Sequence, residues 1–255
     1  MAEHLHIIKE NNDPPPVGEV LTSTAKDIIR SLQHAKENSG SLTMIAGVPG
    51  SGKSHTVHRY CEMQRWQPIW HTMVAGEGKI YDLAVGLMDK LDMGTPNTRR
   101  MREERFRIAE AIGPERLVII DEAQYLSNYN PRGGFNYDAY EWLRAVAEEG
   151  MFSVAFVGDM ALVEDVNAVP QLRRRVIRPV IIRSVPKEDV TKVADSHGIN
   201  DAGMHAALAA VAKRYGGLGD VVNVIRHARK FAGSPSVGPD HLSAAIHDLK
   251  LDGGR

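Results

Sequence analysis

The sequence predicts a three-layer α/β fold built on a parallel sheet and followed by a small all-helical unit, and three observations carry that prediction. A Gly-rich loop, Gly47-Val48-Pro49-Gly50-Ser51-Gly52-Lys53-Ser54, lies between an apolar strand-like run, Leu42 to Ala46, and a stretch without Gly or Pro, Ser54 to Arg65, that can form a helix. A second apolar run, Leu117 to Ile120, ends in paired carboxylates, Asp121 and Glu122, the pattern of a strand buried on both faces with acids at its C-terminal edge. Beyond Pro186 strand signals disappear, and four short helical stretches take over.

Residues 1–20 are polar and contain Pro14, Pro15 and Pro16, which predicts a stiff extended arm. Residues 21–185 read as the α/β core and residues 186–255 as a helical lid. The first helix is expected over 22–38, with Ala25, Ile28, Ile29, Leu32 and Ala35 on one face and Ser39-Gly40 ending it. Residues 68–74 predict a second strand. Residues 79–93 predict a helix, because Ile80, Leu83, Ala84, Leu87, Met88 and Leu91 recur at helical spacing. After Glu122 a loop is expected over 123–134, then a helix over 136–149 and a strand over 152–157 ending in Gly158-Asp159. The basic run Gln171 to Arg178 precedes a last strand, Val180 to Ile182. The tail predicts helices over 189–197, 201–215, 220–231 and 239–249.

The Gly-rich loop fits the phosphate-cradling pattern G-x-x-x-x-G-K-[ST] at every fixed position. Its glycines let backbone N–H groups converge on phosphate oxygens, and the helix that follows turns the positive end of its dipole towards the same anions. Lys53 is expected to reach the β and γ phosphates and Ser54 to offer its hydroxyl to Mg²⁺. Residues 47–54, with His55 next on the helix, form the expected nucleotide-binding set. Asp121 is expected to hold Mg²⁺ through water, and Glu122 to orient and deprotonate the attacking water. Asp159, at the edge of the sheet, either senses the γ phosphate or caps a helix. The adjacent arginines Arg173, Arg174 and Arg175 are candidates for a guanidinium offered to a neighbouring subunit's γ phosphate, with DNA contact or a solvated turn as the other readings of the cluster. A tract from Thr98 to Arg107 holds Arg99, Arg100, Arg102, Arg105 and Arg107. It reads either as a DNA-backbone patch or as ordinary helix pairing with Glu103 and Glu104.

Composition sets limits. The chain has 255 residues, 43% of them hydrophobic, enough for a packed core, and a net charge of −1, so DNA contact must come from local patches. A single cysteine, Cys61, excludes a disulfide framework, and the scattered histidines lack partner ligands at metal-site spacing. No run approaches the roughly 18 apolar residues that cross a bilayer, so a soluble intracellular protein without membrane partners is expected. The guanine-reading Asn/Thr-Lys-x-Asp element is missing.

The order of phosphate loop, Arg116-Leu117-Val118-Ile119-Ile120-Asp121-Glu122-Ala123, Gly158-Asp159, arginine cluster and helical tail resembles the AAA+ ATPases. The tail, beginning Lys187-Glu188-Asp189-Val190 and containing Asp240-His241-Leu242 and Leu249-Lys250-Leu251, is more narrowly similar to the phage Mu B transposition protein family. The similarity runs from about residue 22 to residue 251. It implies a P-loop NTPase core of the AAA+ type with ATP and Mg²⁺ as cofactors. It further implies non-specific binding to double-stranded DNA, a homo-oligomer or helical filament on that DNA, a transposase partner, and the cytoplasm of a bacterial host. In that pattern Asp121 and Glu122 serve Mg²⁺ and water, Asp159 takes the polar sensor position, and Arg174 or Arg175 the intersubunit finger. Three departures stand out. A short arm stands where the family's founding member has a helix-turn-helix domain. Asp159 takes the place of a neutral donor. The lid segment Gly216-Gly217-Leu218-Gly219-Asp220-Val221 lacks its usual arginine, with Arg226 more than a turn further on. A secretion or protein-assembly ATPase without a DNA role is the alternative, and a non-hydrolysing ATP switch a third reading.

Overall fold

A computed structural model describes residues 20–252 apart from 66, 131, 132, 215 and 235. The Pro-rich arm expected over 1–20 lies almost wholly outside the described residues.

Helix α1 (Ser23–Glu37) leads into β1 (Leu42–Gly47), the Gly-rich loop and α2 (Lys53–Met63). Then come β2 (Ile69–Thr72), α3 (Ile80–Lys90), α4 (Met101–Ile112) and β3 (Leu117–Asp121). Where the sequence predicts one loop over 123–134, a 3-10 turn (Ala123–Leu126) is followed by a small antiparallel hairpin, β4 (Asn128–Asn130) and β5 (Gly134–Asn136). Neither hairpin strand carries an apolar alternation; an edge-on contact of Tyr129 with Phe135, centroids 5.3 Å apart, supports the backbone pairing. Helix α5 (Asp138–Gly150), β6 (Ser153–Gly158), α6 (Ala161–Ala168), α7 (Pro170–Arg175) and β7 (Val180–Ile182) complete the core.

The five core strands are parallel in the order β2-β3-β6-β1-β7. Side chains alternate across this sheet, which creates the layers. Leu42, Met44, Val118, Ile120, Val154 and Phe156 face α3 to α7, whereas Ile45, Leu117, Ile119, Ala155 and Val157 face α1 and α2. Burial on both faces accounts for the continuous apolar runs Leu117–Ile120 in β3 and Val154–Val157 in β6, and in β1 the one polar residue, Thr43, is buried with its hydroxyl against Ser31 Oγ. Cys61 lies half-buried on α2 in the second layer, and burial, with Glu62 nearby, pushes its thiol up to about 11.

Helices α8 (Lys187–Ser196), α9 (Ala202–Arg214), α10 (Gly217–Ala232) and α11 (Pro239–Asp248) enclose a separate apolar cluster that includes Val190, Leu208, Val224, Ile225 and Leu242. Asp189 clasps this unit to the core. It is fully buried and accepts from the backbone N–H and hydroxyl groups of both Ser23 and Thr24, at 2.6 to 3.1 Å, at the start of α1. Burial would raise its pKa, but those four hydrogen bonds outweigh burial and hold the carboxyl below its ordinary value. Helix α10 begins three residues earlier than its apolar spacing predicts, at Gly217 rather than Asp220. The glycine-rich turn is needed there because it presses against the phosphate-type loop.

Candidate functional site

The sheet order puts β6 between β1 and β3, so the loops leaving the C-terminal ends of these three strands share one crevice, the usual ligand position in open parallel sheets. The Gly-rich loop is tied to the sheet where Val48 N–H donates to Ile182 O at 3.0 Å. Gly52 has a φ of +86° and turns the chain into α2, and a Cβ on Gly50 would overlap Gly216 O at 1.6 Å. The loop can therefore adopt its path, and the lid can approach it, only with glycine at these two positions.

Lys53 is the first residue of α2 and is half-buried. Its ammonium donates to Gly47 O at 2.7 Å and Val48 O at 3.0 Å, with Ser51 Oγ 3.4 Å away. Burial lowers its pKa, and the carboxylates of Glu122, Asp121 and Asp159 oppose that shift. Three acids at the ends of β3 and β6 thus act on one ammonium from the start of α2.

Asp121 is buried, and its Oδ1 accepts Glu122 N–H at 3.0 Å and lies 3.5 Å from Ser54 Oγ. Burial raises its pKa, adjacent Glu122 adds to the rise, and the Glu122 N–H, Ser54 and Lys53 counter it. This hydroxyl and carboxylate form a pair of hard oxygen donors, the chemistry that suits Mg²⁺. Among the described residues no group of three or more His, Cys, Asp or Glu side chains could hold a metal alone. A cation here would draw its other ligands from water and phosphate, as Mg²⁺ does. Glu122 has a φ of +53° and ψ of 37°, a left-handed conformation costly for a residue with a Cβ, and the turn directs the chain away from β3 at once. Asp159 Oδ1 accepts Ala161 N–H at 2.8 Å, so its carboxylate caps the start of α6 while remaining in the field of Lys53. Ser54 and His55 are exposed on the first turn of α2.

The arginines divide by partner. Arg175 pairs with Glu148 at 2.5 Å, which also pairs with Arg144, whereas Arg174 is exposed with no ion-pair partner among the described residues. In the middle tract Arg100 pairs with Glu103, Arg105 binds Glu149 with two hydrogen bonds, and Arg107 pairs with buried Glu104. Arg99 and Arg102 are exposed and unpaired among the described residues. Arg226 lies near His197, whose pKa burial, Arg229 and Arg226 all lower.

Sequence reasoning missed three parts of the site. Gln124, two residues after Glu122, joins the ends of β3 and β6. Gly216 to Leu218 meet the loop by backbone contact, with Leu218 N–H donating to Gly50 O at 2.8 Å. Asp189 belongs to the tail pattern, but nothing in its neighbourhood along the chain points to α1. A run of glycines before a helix was the available signal for the second; the others depend on tertiary approach.

Residues 36–164 match the family described as AAA domain, and residues 174–249 match the C-terminal part of the Mu B transposition protein. No curated protein matches the chain at a significant level. Among solved structures, the ORC2 protein of Aeropyrum pernix is similar at 17% identity with a TM-score of 0.61, over 94% of this chain and 70% of that one. Cdc6p of Pyrobaculum aerophilum is 14% identical with a TM-score of 0.63, over 92% and 69%. The ORC1 protein of Aeropyrum pernix is 13% identical with a TM-score of 0.62, over 92% and 68%. At these identities the likeness concerns the fold.

Proposed function

The chain belongs to the AAA domain family and is Mu B-like over its C-terminal region, and on that premise we propose that it is an ATPase that assembles on double-stranded DNA and delivers that DNA to a transposase. The observation that carries the proposal is the crevice where the turns after β1, β3 and β6 bring Lys53, Ser54, Asp121, Glu122 and Asp159 together, with Ser54 Oγ 3.5 Å from Asp121 Oδ1. In support of the nucleotide, the similar ORC2 structure is of ADPNP–ADP complexes, and in support of DNA, the ORC1 structure is of a complex with DNA.

In this reading the Gly47–Ser54 backbone cradles the phosphates, with His55 beside it, and the Lys53 ammonium moves from the Gly47 and Val48 carbonyls to the β and γ phosphate oxygens. Ser54 and Asp121 are the residues that would hold Mg²⁺, which would neutralise charge on the phosphates. Glu122 accepts a proton from water as that water attacks the γ phosphorus and the bond to the β-phosphate oxygen breaks, giving ADP and phosphate. A neighbouring subunit supplies Arg174, whose guanidinium is not already committed to a carboxylate, so turnover requires a homo-oligomer or filament. Arg99 and Arg102 are the cations of the middle tract left to meet DNA phosphates. Among the described residues no helix is long and apolar enough to cross a membrane, and the cytoplasm of a bacterial host suits the proposed partners.

Electron microscopy of the protein with duplex DNA, with and without a non-hydrolysable ATP analogue, tests oligomer, nucleotide dependence and DNA together. Filaments that need both ligands are expected. Assembly unchanged by DNA, with turnover that DNA does not stimulate, would favour a protein-assembly ATPase instead.

A further inference from the structure

The turn after β3 contains a contact that the chemistry above leaves unused. Gln124 Nε2 donates to Glu122 Oε2 at 2.5 Å, and Gln124 Oε1 accepts the backbone N–H of Asp159 at 3.2 Å. Glu122 follows β3 and Asp159 follows β6, so one carboxamide bridges the ends of two adjacent strands. Its orientation is dictated by its partners. A carboxylate only accepts and a backbone N–H only donates, so the flipped amide would set oxygen against oxygen and N–H against N–H.

Three neighbours hold this bridge. The Tyr140 hydroxyl, buried on α5, donates to Ala123 O at 2.6 Å and fixes the turn between Glu122 and Gln124. Gly158 ends β6 without a side chain; a Cβ there would lie 2.4 Å from Gln124 Oε1 and expel the amide. The Asp159 carboxylate is engaged at the start of α6, leaving its N–H as the group that meets Gln124. Glu122 itself, held at a φ of +53°, has a backbone that resists its own placement.

We propose that Gln124 is a positioning residue for hydrolysis: its carboxamide aims the Glu122 carboxylate and locks it to the end of β6, so that the Asp159 position acts on the base through its main chain. The proposal rests on the reading of Glu122 as the base. It also accounts for an acid at a position facing a triphosphate, because the Asp159 side chain is not the group doing the sensing.

The test compares the full-length protein with Gln124→Met, Gln124→Glu, Gly158→Ala and Glu122→Gln, measuring steady-state hydrolysis, affinity for a fluorescent ATP analogue and thermal unfolding. Gln124→Met keeps the side-chain length but removes both hydrogen bonds, and kcat is expected to fall about 10²-fold, the scale of a small misplacement of a reacting group, with analogue affinity within twofold of wild type. Gln124→Glu retains length but sets a carboxylate against Glu122 and is expected to lose at least as much. Gly158→Ala displaces the amide without changing it and is expected to lower kcat in the same direction. A packing role alone would spare kcat in the Met variant. If Gln124→Met and Gly158→Ala both turn over within twofold of wild type while Glu122→Gln is inactive, the positioning role is wrong. If Glu122→Gln itself turns over normally, the base assignment fails, and the proposal fails with it.

Discussion

Leu218 donates its backbone N–H to the carbonyl of Gly50 at 2.8 Å, so the start of α10 meets the Gly-rich loop through main chain. Gly217, between Gly216 and Leu218, has a φ of +62°, and a Cβ on it would lie 2.7 Å from Gly50 O. This seam joins the Gly-rich loop directly to the start of α10.

Gly217→Ala should therefore loosen the lid. Left-handed strain and the clash together are expected to cost about 2 kcal/mol, lowering Tm by about 4–8 °C. Calorimetry checks this, and hydrogen exchange should show faster exchange in α10 than in β1. An unchanged Tm would mean that the seam bears no load.

Lys53→Ala should weaken ATP binding about 10²-fold or more, since charge-assisted bonds to phosphate are lost. Stability should change little, because the ammonium is half-buried against its own loop and burial already disfavours its charge. Titration with a fluorescent analogue reads the first effect and thermal melting the second. Undiminished affinity would mean that the phosphates bind elsewhere.

Arg174 and Arg175 should separate. Arg174→Ala is expected to lower turnover about 10³-fold or more with nucleotide affinity kept. Activity should return on mixing with Glu122→Gln subunits, which would lend their arginine to an intact base. Arg175→Ala, which opens a partly exposed pair with Glu148, should cost no more than about 1 kcal/mol of stability and leave turnover nearly intact. The opposite assignment of the two losses would move the finger to Arg175.

Asp189 predicts acid sensitivity. Its folded pKa lies below the ordinary carboxylate value, so its contribution to stability is complete above that ordinary value, about 3.9, and is lost as pH falls through the folded pKa. Asp189→Ala strands four donors at the start of α1 and should destabilise by about 1–3 kcal/mol at neutral pH, with a shallower loss of Tm on acidification than in wild type. Parallel Tm–pH curves for the two proteins would refute the clasp.

DNA affinity should fall with salt by about 0.9 log units per contacted phosphate per decade. Arg99→Ala and Arg102→Ala should each flatten that slope by about one contact without altering sequence preference. Arg105→Ala, which removes a bidentate pair with Glu149, should leave the slope alone. Fluorescence anisotropy at several salt concentrations distinguishes these outcomes.

The order of the core elements was legible in sequence because buried parallel strands are short continuous apolar runs and the phosphate-type loop constrains every fixed position between Gly47 and Ser54. The neighbourhood of Lys53, Asp121 and Glu122 followed from placing those runs in one parallel sheet, although the insertion of β6 between them was not legible. What could not be read were links made across distance. Asp189 meets Ser23 and Thr24 more than 160 residues away, and nothing local marks it as buried. Gln124 gains significance only once β6 lies beside β3. The hairpin at 128–136 evaded periodicity because an edge-on Tyr129–Phe135 contact, not a buried face, supports its strands. Arg174 and Arg175 are equivalent in sequence and differ only because Glu148 on α5 reaches one of them.

Cys61, the sole thiol of the chain, is half-buried on α2, and with its pKa near 11 it carries almost no thiolate at neutral pH. Alkylating reagents should pass it by, so a cysteine introduced on the outer surface of α10 would be labelled selectively in an otherwise native background. The molecule thereby comes with a silent thiol, ready for single-site spectroscopy of the lid.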